Sequence, residues 1–142
     1  MAGYSGTPLP QKLGIRPGTI VAIINQPPNF RRTLGKLPED VRFSGKVIPG
    51  STFIHLFTTR RSELAKYAKE VRRKMADEGT FWVSWPKKSA RVASDITEDV
   101  VRAVALPLGL VDTKVCAVDE IWSGLKLMIR RENRKSAAKA KK

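Results

Sequence analysis

Two pairs of adjacent charged residues, distant in the sequence, could do chemistry together if the fold brings them to one place. Lys87 and Lys88 follow the aromatic run from Phe81 to Trp85 after a single proline, and Asp119 and Glu120 follow a later β-branched run. Two ammonium groups beside an aromatic ring suit an anionic ligand with a flat apolar part. Adjacent carboxylates face opposite ways on a strand, so they do not predict a catalytic pair. These residues therefore predict binding rather than catalysis.

The aromatic run ahead of the lysines predicts a central strand. Phe81, Val83 and Trp85 would face one side of a sheet, and Trp82 and Ser84 the other. Large apolar side chains on both faces need cover on both sides. The sequence therefore places this strand in the middle of an α/β sandwich.

Apolar periodicity along the chain predicts the element order β, α, β, β, α, β, α, β, β. Alternation of strands with helices predicts a mostly parallel sheet covered by helices, and the short last connection predicts a final antiparallel strand. The predicted strands are 19–24, 41–43, 52–58, 79–86, 113–118 and 125–131, and the predicted helices are 30–34, 62–78 and 96–108, with a short helix near 10–13.

Several residues are expected to mark helix ends. Asp95, with Glu98 three residues later, has the spacing of a capping box. Gly14, Gly79 and Gly109 follow predicted helices and are expected to end them.

Length and composition indicate one domain, predicted to span residues 1–131. The chain has 142 residues, enough to bury a core, and its single cysteine excludes an internal disulfide. It begins without the pattern of a signal peptide and has no apolar run near the ~20 residues that a membrane span needs. We expect a soluble cytoplasmic protein with no membrane partner.

The formal net charge of +14 is unevenly distributed. Residues 130–142 contain seven Lys or Arg and one Glu, a net +6, which leaves +8 for the other 129 residues. This ending has no apolar periodicity, so residues 132–142 are predicted to form a disordered basic tail. Such a tail would attract nucleic acid weakly and without sequence preference.

Ligands of open α/β sheets bind beyond the carboxyl ends of the parallel strands. Four predicted loops, at residues 25–29, 58–61, 86–91 and 119–123, would meet at that edge and could hold an anionic small molecule. A second interpretation assigns the tryptophans to the core and the charges to ordinary surface positions. The candidate ligand-binding residues are Asn25, Gln26, Thr58, Lys87, Lys88, Ser89, Asp119, Glu120 and Trp122.

One histidine and one cysteine are present, and each lies inside a predicted strand. The position of His55 between Phe53 and Phe57 is typical of a core residue with one satisfied ring nitrogen. Cys116 is expected to be an inert small hydrophobe. Since one His and one Cys cannot form a dedicated zinc site, the sequence predicts neither a metal site nor a catalytic residue.

Several stretches of the sequence resemble a family of small bacterial proteins of unknown function. They are Ser5 to Leu9 with Lys12 to Ile15, Trp82 to Ser89, and Val115 to Glu120 with Trp122 to Lys126. The likeness covers nearly the whole chain and implies no known activity.

The element order is also similar to that of the class I S-adenosylmethionine-dependent methyltransferases. This resemblance implies a compact three-layer Rossmann-like fold with a C-terminal antiparallel hairpin, in which a glycine-rich turn after the first strand and an acidic residue ending the second hold the cofactor. Here Asn25 to Pro28 stands at the first position and Phe43 to Gly45 at the second, and the region from residue 30 to 51 is shortened. These differences disfavour S-adenosylmethionine as a cofactor.

The leading interpretation is a non-catalytic methyltransferase-like domain that binds an anionic ligand or partner. A methyltransferase with an altered cofactor pocket is the first alternative, and a nucleic-acid-associated basic protein is the second. Titration with S-adenosylmethionine separates the first two, and the salt dependence of nucleic-acid binding tests the third.

Overall fold

The computed structural model describes residues 7–134, which form one six-stranded sheet with helices on both faces. The strands are β1 (Ile20–Ile24), β2 (Arg42–Ser44), β3 (Phe53–Phe57), β4 (Thr80–Pro86), β5 (Leu110–Ala117) and β6 (Trp122–Ile129). The α-helices are α1 (Leu9–Leu13), α2 (Phe30–Leu34), α3 (Arg61–Lys74) and α4 (Glu98–Ala105), and short 3-10 turns lie at Lys88–Ala90, Leu106–Leu108 and Arg131–Asn133.

The order of strands across the sheet is β2-β1-β3-β4-β6-β5. Strand β1 runs parallel to β2 and β3, and β3 runs parallel to β4. Strand β6 runs antiparallel to both β4 and β5, so it alone opposes the direction of the other strands. The predicted α/β class, with a mostly parallel sheet and a C-terminal antiparallel hairpin, is confirmed.

The central strand β4 separates two apolar cores. Phe81, Val83 and Trp85 lie in the core under α3 and α4, and Trp82 lies in the core under α1 and α2. Trp82 is fully buried, and its Nε1 donates a hydrogen bond of 2.9 Å to the carbonyl of Leu13 at the end of α1. The predicted division of these side chains between the two faces is therefore correct.

His55 is a fully buried residue of β3, on the same face of the sheet as Trp82. Its Nε2 lies 2.7 Å from Ser84 Oγ, and its Nδ1 has no hydrogen-bond partner among residues 7–134. The ring stacks on Phe57 with centroids 4.2 Å apart. Burial lowers the pKa of His55 from 6.5 to about 3, so the ring is neutral at physiological pH. It is a core residue with one satisfied nitrogen, as the sequence predicts.

Helix α3 ends earlier than its apolar stripe predicts, at Lys74 rather than near residue 78. Contacts with the loop before β3 stop it: Gly50 N donates to Lys74 O at 2.7 Å, and Ala76 N donates to Ser51 O at 2.9 Å. Gly79 does not cap the helix. A Cβ there would lie 3.0 Å from Ala76 O and 3.1 Å from Ser51 O, so this glycine permits a close approach of two backbone segments.

The prediction that Asp95 caps α4 is wrong. Thr97 caps that helix by accepting a hydrogen bond from Val100 N at 3.2 Å. Asp95 Oδ1 instead accepts a 2.6 Å hydrogen bond from Arg61 N, at the first residue of α3. The carboxylate therefore satisfies a free amide at the start of a different helix, where the helix dipole also favours a negative charge.

Two of the predicted glycine caps are confirmed. Gly14 and Gly109 have φ of 83° and end α1 and the turn after α4.

Both strands of the C-terminal hairpin begin three residues earlier than predicted. The turn at Gly109 leads directly into β5 at Leu110, and an irregularity in the register between Asp112 and Lys114 interrupts the alternation that would have revealed the strand.

The basic tail predicted from residue 132 lies only partly within the described residues. The structure has a 3-10 turn at Arg131–Asn133, and the tail from residue 135 onward lies outside the described part. Within residues 7–134 no helix combines the length and apolar character needed to cross a lipid bilayer.

Replacing Trp82 tests the central position of β4. Because the Trp82 ring is fully buried and bonded to Leu13, we expect Trp82→Ala to lower the free energy of unfolding by about 3–5 kcal/mol. Trp122→Ala, at a half-buried ring, is the matched control and should cost clearly less. Chemical denaturation measures both, and equal losses would contradict the central position.

The buried His55 predicts that stability falls with acidification. In the unfolded chain His55 takes up a proton near pH 6.5, whereas in the folded chain it does so only near pH 3. The contribution of His55 to the free energy of unfolding is therefore complete above pH 6.5 and is lost as the pH falls. The expected loss between pH 7 and pH 5 is about 2 kcal/mol, from ~1.4 kcal/mol per pH unit. His55→Asn should abolish this slope. Unfolding free energy that stays constant in the natural chain over this range would contradict a neutral buried ring.

Candidate functional site

The carboxyl ends of β1, β3 and β4 meet at one edge of the sheet, where β6 begins. Ile24 pairs with Leu56, and Pro86 pairs with Trp122. Lys87 N donates a 2.7 Å hydrogen bond to Ile121 O. The loops that carry the predicted site residues therefore share this edge. They include the loops of Lys87 and Ile121, two residues that are more than thirty positions apart in the sequence.

The crevice between β1 and β3 is closed by side chains of the chain itself. Asn25 Nδ2 donates to Phe57 O at 3.1 Å and to Glu63 Oε1 at 3.0 Å. Thr58 Oγ1 donates to the same Glu63 oxygen at 2.7 Å. We call Asn25, Thr58 and Glu63 the Glu63 bridge. Because β2 and β3 lie on opposite sides of β1, this crevice is the topological switch point, where ligands of such sheets bind.

Backbone geometry at the end of β1 positions the Glu63 bridge. Asn25 has a φ of 60°, a left-handed conformation that Asn tolerates better than most residues, and this turns its amide toward β3. Glu63 belongs to the first turn of α3, where the helix dipole favours an acidic side chain. Sequence reasoning missed Glu63, although its place in the first turn after a buried strand was a usable signal.

Aromatic rings fill the sheet face beneath this edge. Phe30, the first residue of α2, is 2% exposed and packs edge-on against Phe57, with centroids 4.8 Å apart. Trp122 packs edge-on against the same Phe57 ring at 5.1 Å. Trp122 is therefore a half-buried member of this cluster, and part of its surface is open to solvent at the edge.

The loop from Asp119 to Trp122 is held by its own carboxylate. Asp119 Oδ1 accepts hydrogen bonds from Ile121 N and Trp122 N, both at 2.8 Å. Neither Lys87 nor Lys88 forms a salt bridge with any carboxylate among residues 7–134. Lys87 and Lys88 are thus not neutralised by a salt bridge within this part of the chain.

Three lysines from different elements surround Cys116, and we call Lys12, Lys87 and Lys114 the lysine corner. Lys114 Nζ donates to Lys12 O at 3.1 Å, which ties the edge strand β5 to α1. Cys116 is 8% exposed; burial raises the pKa of its thiol, and the nearby charges of the three lysines oppose that rise. The electrostatic potential at this corner is therefore positive.

The structure brings together some of the predicted site residues and leaves others on the open surface. Asn25 and Thr58 belong to the Glu63 bridge, and Lys87 belongs to the lysine corner. Gln26, Lys88, Ser89 and Glu120 are exposed residues of the surrounding loops. Sequence reasoning missed Lys12 and Lys114 because only the docking of α1 on β5 places them here. Among the described residues no His, Cys, Asp or Glu cluster could hold a metal ion.

Several solved structures similar to this one are named as methyltransferases. A putative type 11 methyltransferase from Sulfolobus solfataricus is 13% identical, with a TM-score of 0.61 over 88% of this chain and 91% of that chain. A SAM-dependent methyltransferase from Aquifex aeolicus is 16% identical, with a TM-score of 0.57 over 84% of this chain and 86% of that chain.

A third similar structure is that of LepI in complex with SAM, 11% identical with a TM-score of 0.54. The alignment covers 87% of this chain but 47% of LepI, so the chain spans about half the length of that protein. No protein-family model and no curated protein sequence matches this chain. At such low identities the likeness shows the fold, and the domain has a methyltransferase-like Rossmann fold.

Proposed function

We propose that this chain is a methyltransferase-like domain without methyl-transfer activity that binds an anionic partner at the lysine corner. The observation that carries the proposal is that the charges of Lys87 and Lys114 both act on the thiol of Cys116, with no salt bridge from either lysine to a carboxylate among residues 7–134. The like charges of Lys87 and Lys114 repel each other, and a bound anion relieves that repulsion.

The residues at the switch point do not fit S-adenosylmethionine in the way the fold family holds it. The Glu63 bridge spans the crevice, and opening it would break two hydrogen bonds to the Glu63 carboxylate, each worth about 1.5–3 kcal/mol, and the neutral bond from Asn25 to Phe57 O, worth about 0.5–1.5 kcal/mol. Strand β2 ends at Ser44, whose hydroxyl donates to Lys46 O, so no carboxylate stands at that position. We therefore derive no methyl-transfer step.

Preorganisation supports the lysine corner as the binding surface. Lys87 N is bonded to Ile121 O, and Asp119 fixes the loop that contains Ile121. The side chain of Lys114 is already held against α1 by its hydrogen bond to Lys12 O. Since the backbone of Lys87 and the side chain of Lys114 are already ordered, a ligand would have to immobilise chiefly the side chain of Lys87.

The alternative function is a methyltransferase with an altered cofactor pocket, and the similar solved structures favour it because two of them are named for SAM. Nucleic acid is one polyanion that the lysine corner could bind, in addition to any attraction from the basic ending. A bacterial origin, a cytoplasmic location and a single domain over residues 1–131 stay predictions.

Calorimetric titration of the full chain with tripolyphosphate and with S-adenosylmethionine tests this proposal. We expect saturable binding of tripolyphosphate and no binding of S-adenosylmethionine. Lys87→Ala with Lys114→Ala should weaken tripolyphosphate binding at least about tenfold, or ~1.4 kcal/mol. The matched control is Lys66→Ala with Lys69→Ala, which removes the same charge from exposed positions on α3 and should change affinity far less.

Two results would overturn the proposal. An equal loss of tripolyphosphate affinity in the α3 control would show that binding depends on the overall charge of the chain rather than on the lysine corner. Saturable binding of S-adenosylmethionine, with methyl transfer to any acceptor, would favour the alternative. Thermal melts of both double variants confirm that each still folds.

A further inference from the structure

A cleft with a volume of about 1040 Å³ lies at the edge of the sheet opposite the lysine corner. It is found where β1, β3 and β4 begin and where β6 ends, and its size matches that of small-molecule sites. The lining residues that matter for its chemistry are Arg16, Ile20, Phe53, Lys126, Met128 and Arg134.

Among residues 7–134, helix α1 does not extend over this end of the sheet. It ends at Leu13, whose carbonyl accepts a hydrogen bond from Trp82 Nε1, and Gly14, with a φ of 83°, turns the chain into the segment that lines one side of the cleft. Lys126 pairs with Trp82 across β4 and β6, so the sheet surface beyond this pair forms the floor. Thr80, Lys126 and Met128 on that floor are only half-buried.

The cleft presents both apolar surface and positive charge. Ile20 is 42% exposed at one wall, and the half-buried Met128 contributes to the floor. Arg134 is half-buried and donates its Nε to Ile129 O at 3.0 Å, which leaves its terminal nitrogens for a ligand. Neither Lys126 nor Arg134 forms a salt bridge among residues 7–134.

An acidic residue in the lining limits the charge of a ligand. Glu78, an exposed residue, lines the cleft beyond the end of α3. A ligand with several negative charges would approach this carboxylate, whereas a single anionic group could sit near Lys126 and Arg134 alone. Charge and apolar surface together therefore select a singly charged amphiphile rather than a polyanion.

We propose that this cleft binds a small monoanionic amphiphile, a carboxylate joined to an apolar chain or ring. Lys126 and Arg134 hold the carboxylate, and Ile20 and Met128 contact the apolar part. The proposal goes beyond the lysine corner and does not depend on it, because the two surfaces lie at opposite edges of the sheet.

Titration of the full-length ¹⁵N-labelled chain with octanoate, followed by amide chemical shifts, tests the cleft. We expect saturable shifts centred on Thr19, Thr80 and Met128. Acetate, which lacks the chain, and octylammonium, which reverses the charge, should bind at least about tenfold more weakly. The Lys87→Ala/Lys114→Ala variant should bind octanoate normally, which separates this test from that of the lysine corner.

Substitutions in the cleft provide the second half of the test. Lys126→Gln with Arg134→Gln should weaken octanoate binding about tenfold, whereas Lys69→Gln with Arg73→Gln on the exposed face of α3 should not. Should the first pair fail to fold, Ile20→Glu at an exposed position places a like charge in the cleft and should give the same loss. Octanoate shifts elsewhere, equal affinity for octylammonium, or unchanged affinity in these variants would overturn the proposal.

Discussion

The rest of the structure depends on one constraint, which is that strand β4 carries large apolar side chains on both faces and must be covered on both. Phe81, Val83 and Trp85 are covered by α3 and α4, while Trp82 is covered by the much shorter α1 and α2. The bond from Trp82 Nε1 to Leu13 O fixes where α1 sits. That position brings α1 against β5 to form the lysine corner, and among residues 7–134 it leaves the cleft at the amino end of the sheet.

A second consequence concerns the place where this fold commonly binds ligands. In a sheet of this topology the switch point between β1 and β3 is available unless the chain fills it. Here a carboxylate of the chain accepts hydrogen bonds from Asn25 and Thr58, and Phe30 packs beneath. The fold is therefore retained while its usual ligand position is occupied, which is why we assign binding to charged surfaces at two other places.

Features of the sequence predicted the structure where local patterns decide it. The alternation of Trp82 and Trp85 fixed their faces correctly, because side-chain direction on a strand follows from spacing alone. The end of α3 was missed because it depends on the hydrogen bond from Gly50 N to Lys74 O. The cap of α4 was missed because the Asp95 carboxylate accepts its hydrogen bond from Arg61 N instead. The rule that the carboxyl ends of parallel strands share one edge of a sheet placed Lys87 at the correct edge. The roles of Glu63, Lys12 and Lys114 depend on contacts between elements distant in the sequence.

A crystal structure of the full chain grown with saturating tripolyphosphate and S-adenosylhomocysteine tests the central claim most directly. We predict density for phosphate groups against Lys87 and Lys114. We also predict that Glu63 still accepts hydrogen bonds from Asn25 and Thr58, with no nucleoside between them. A nucleoside seated in that crevice, with the Glu63 bridge open, would contradict the claim that the chain fills its own switch point.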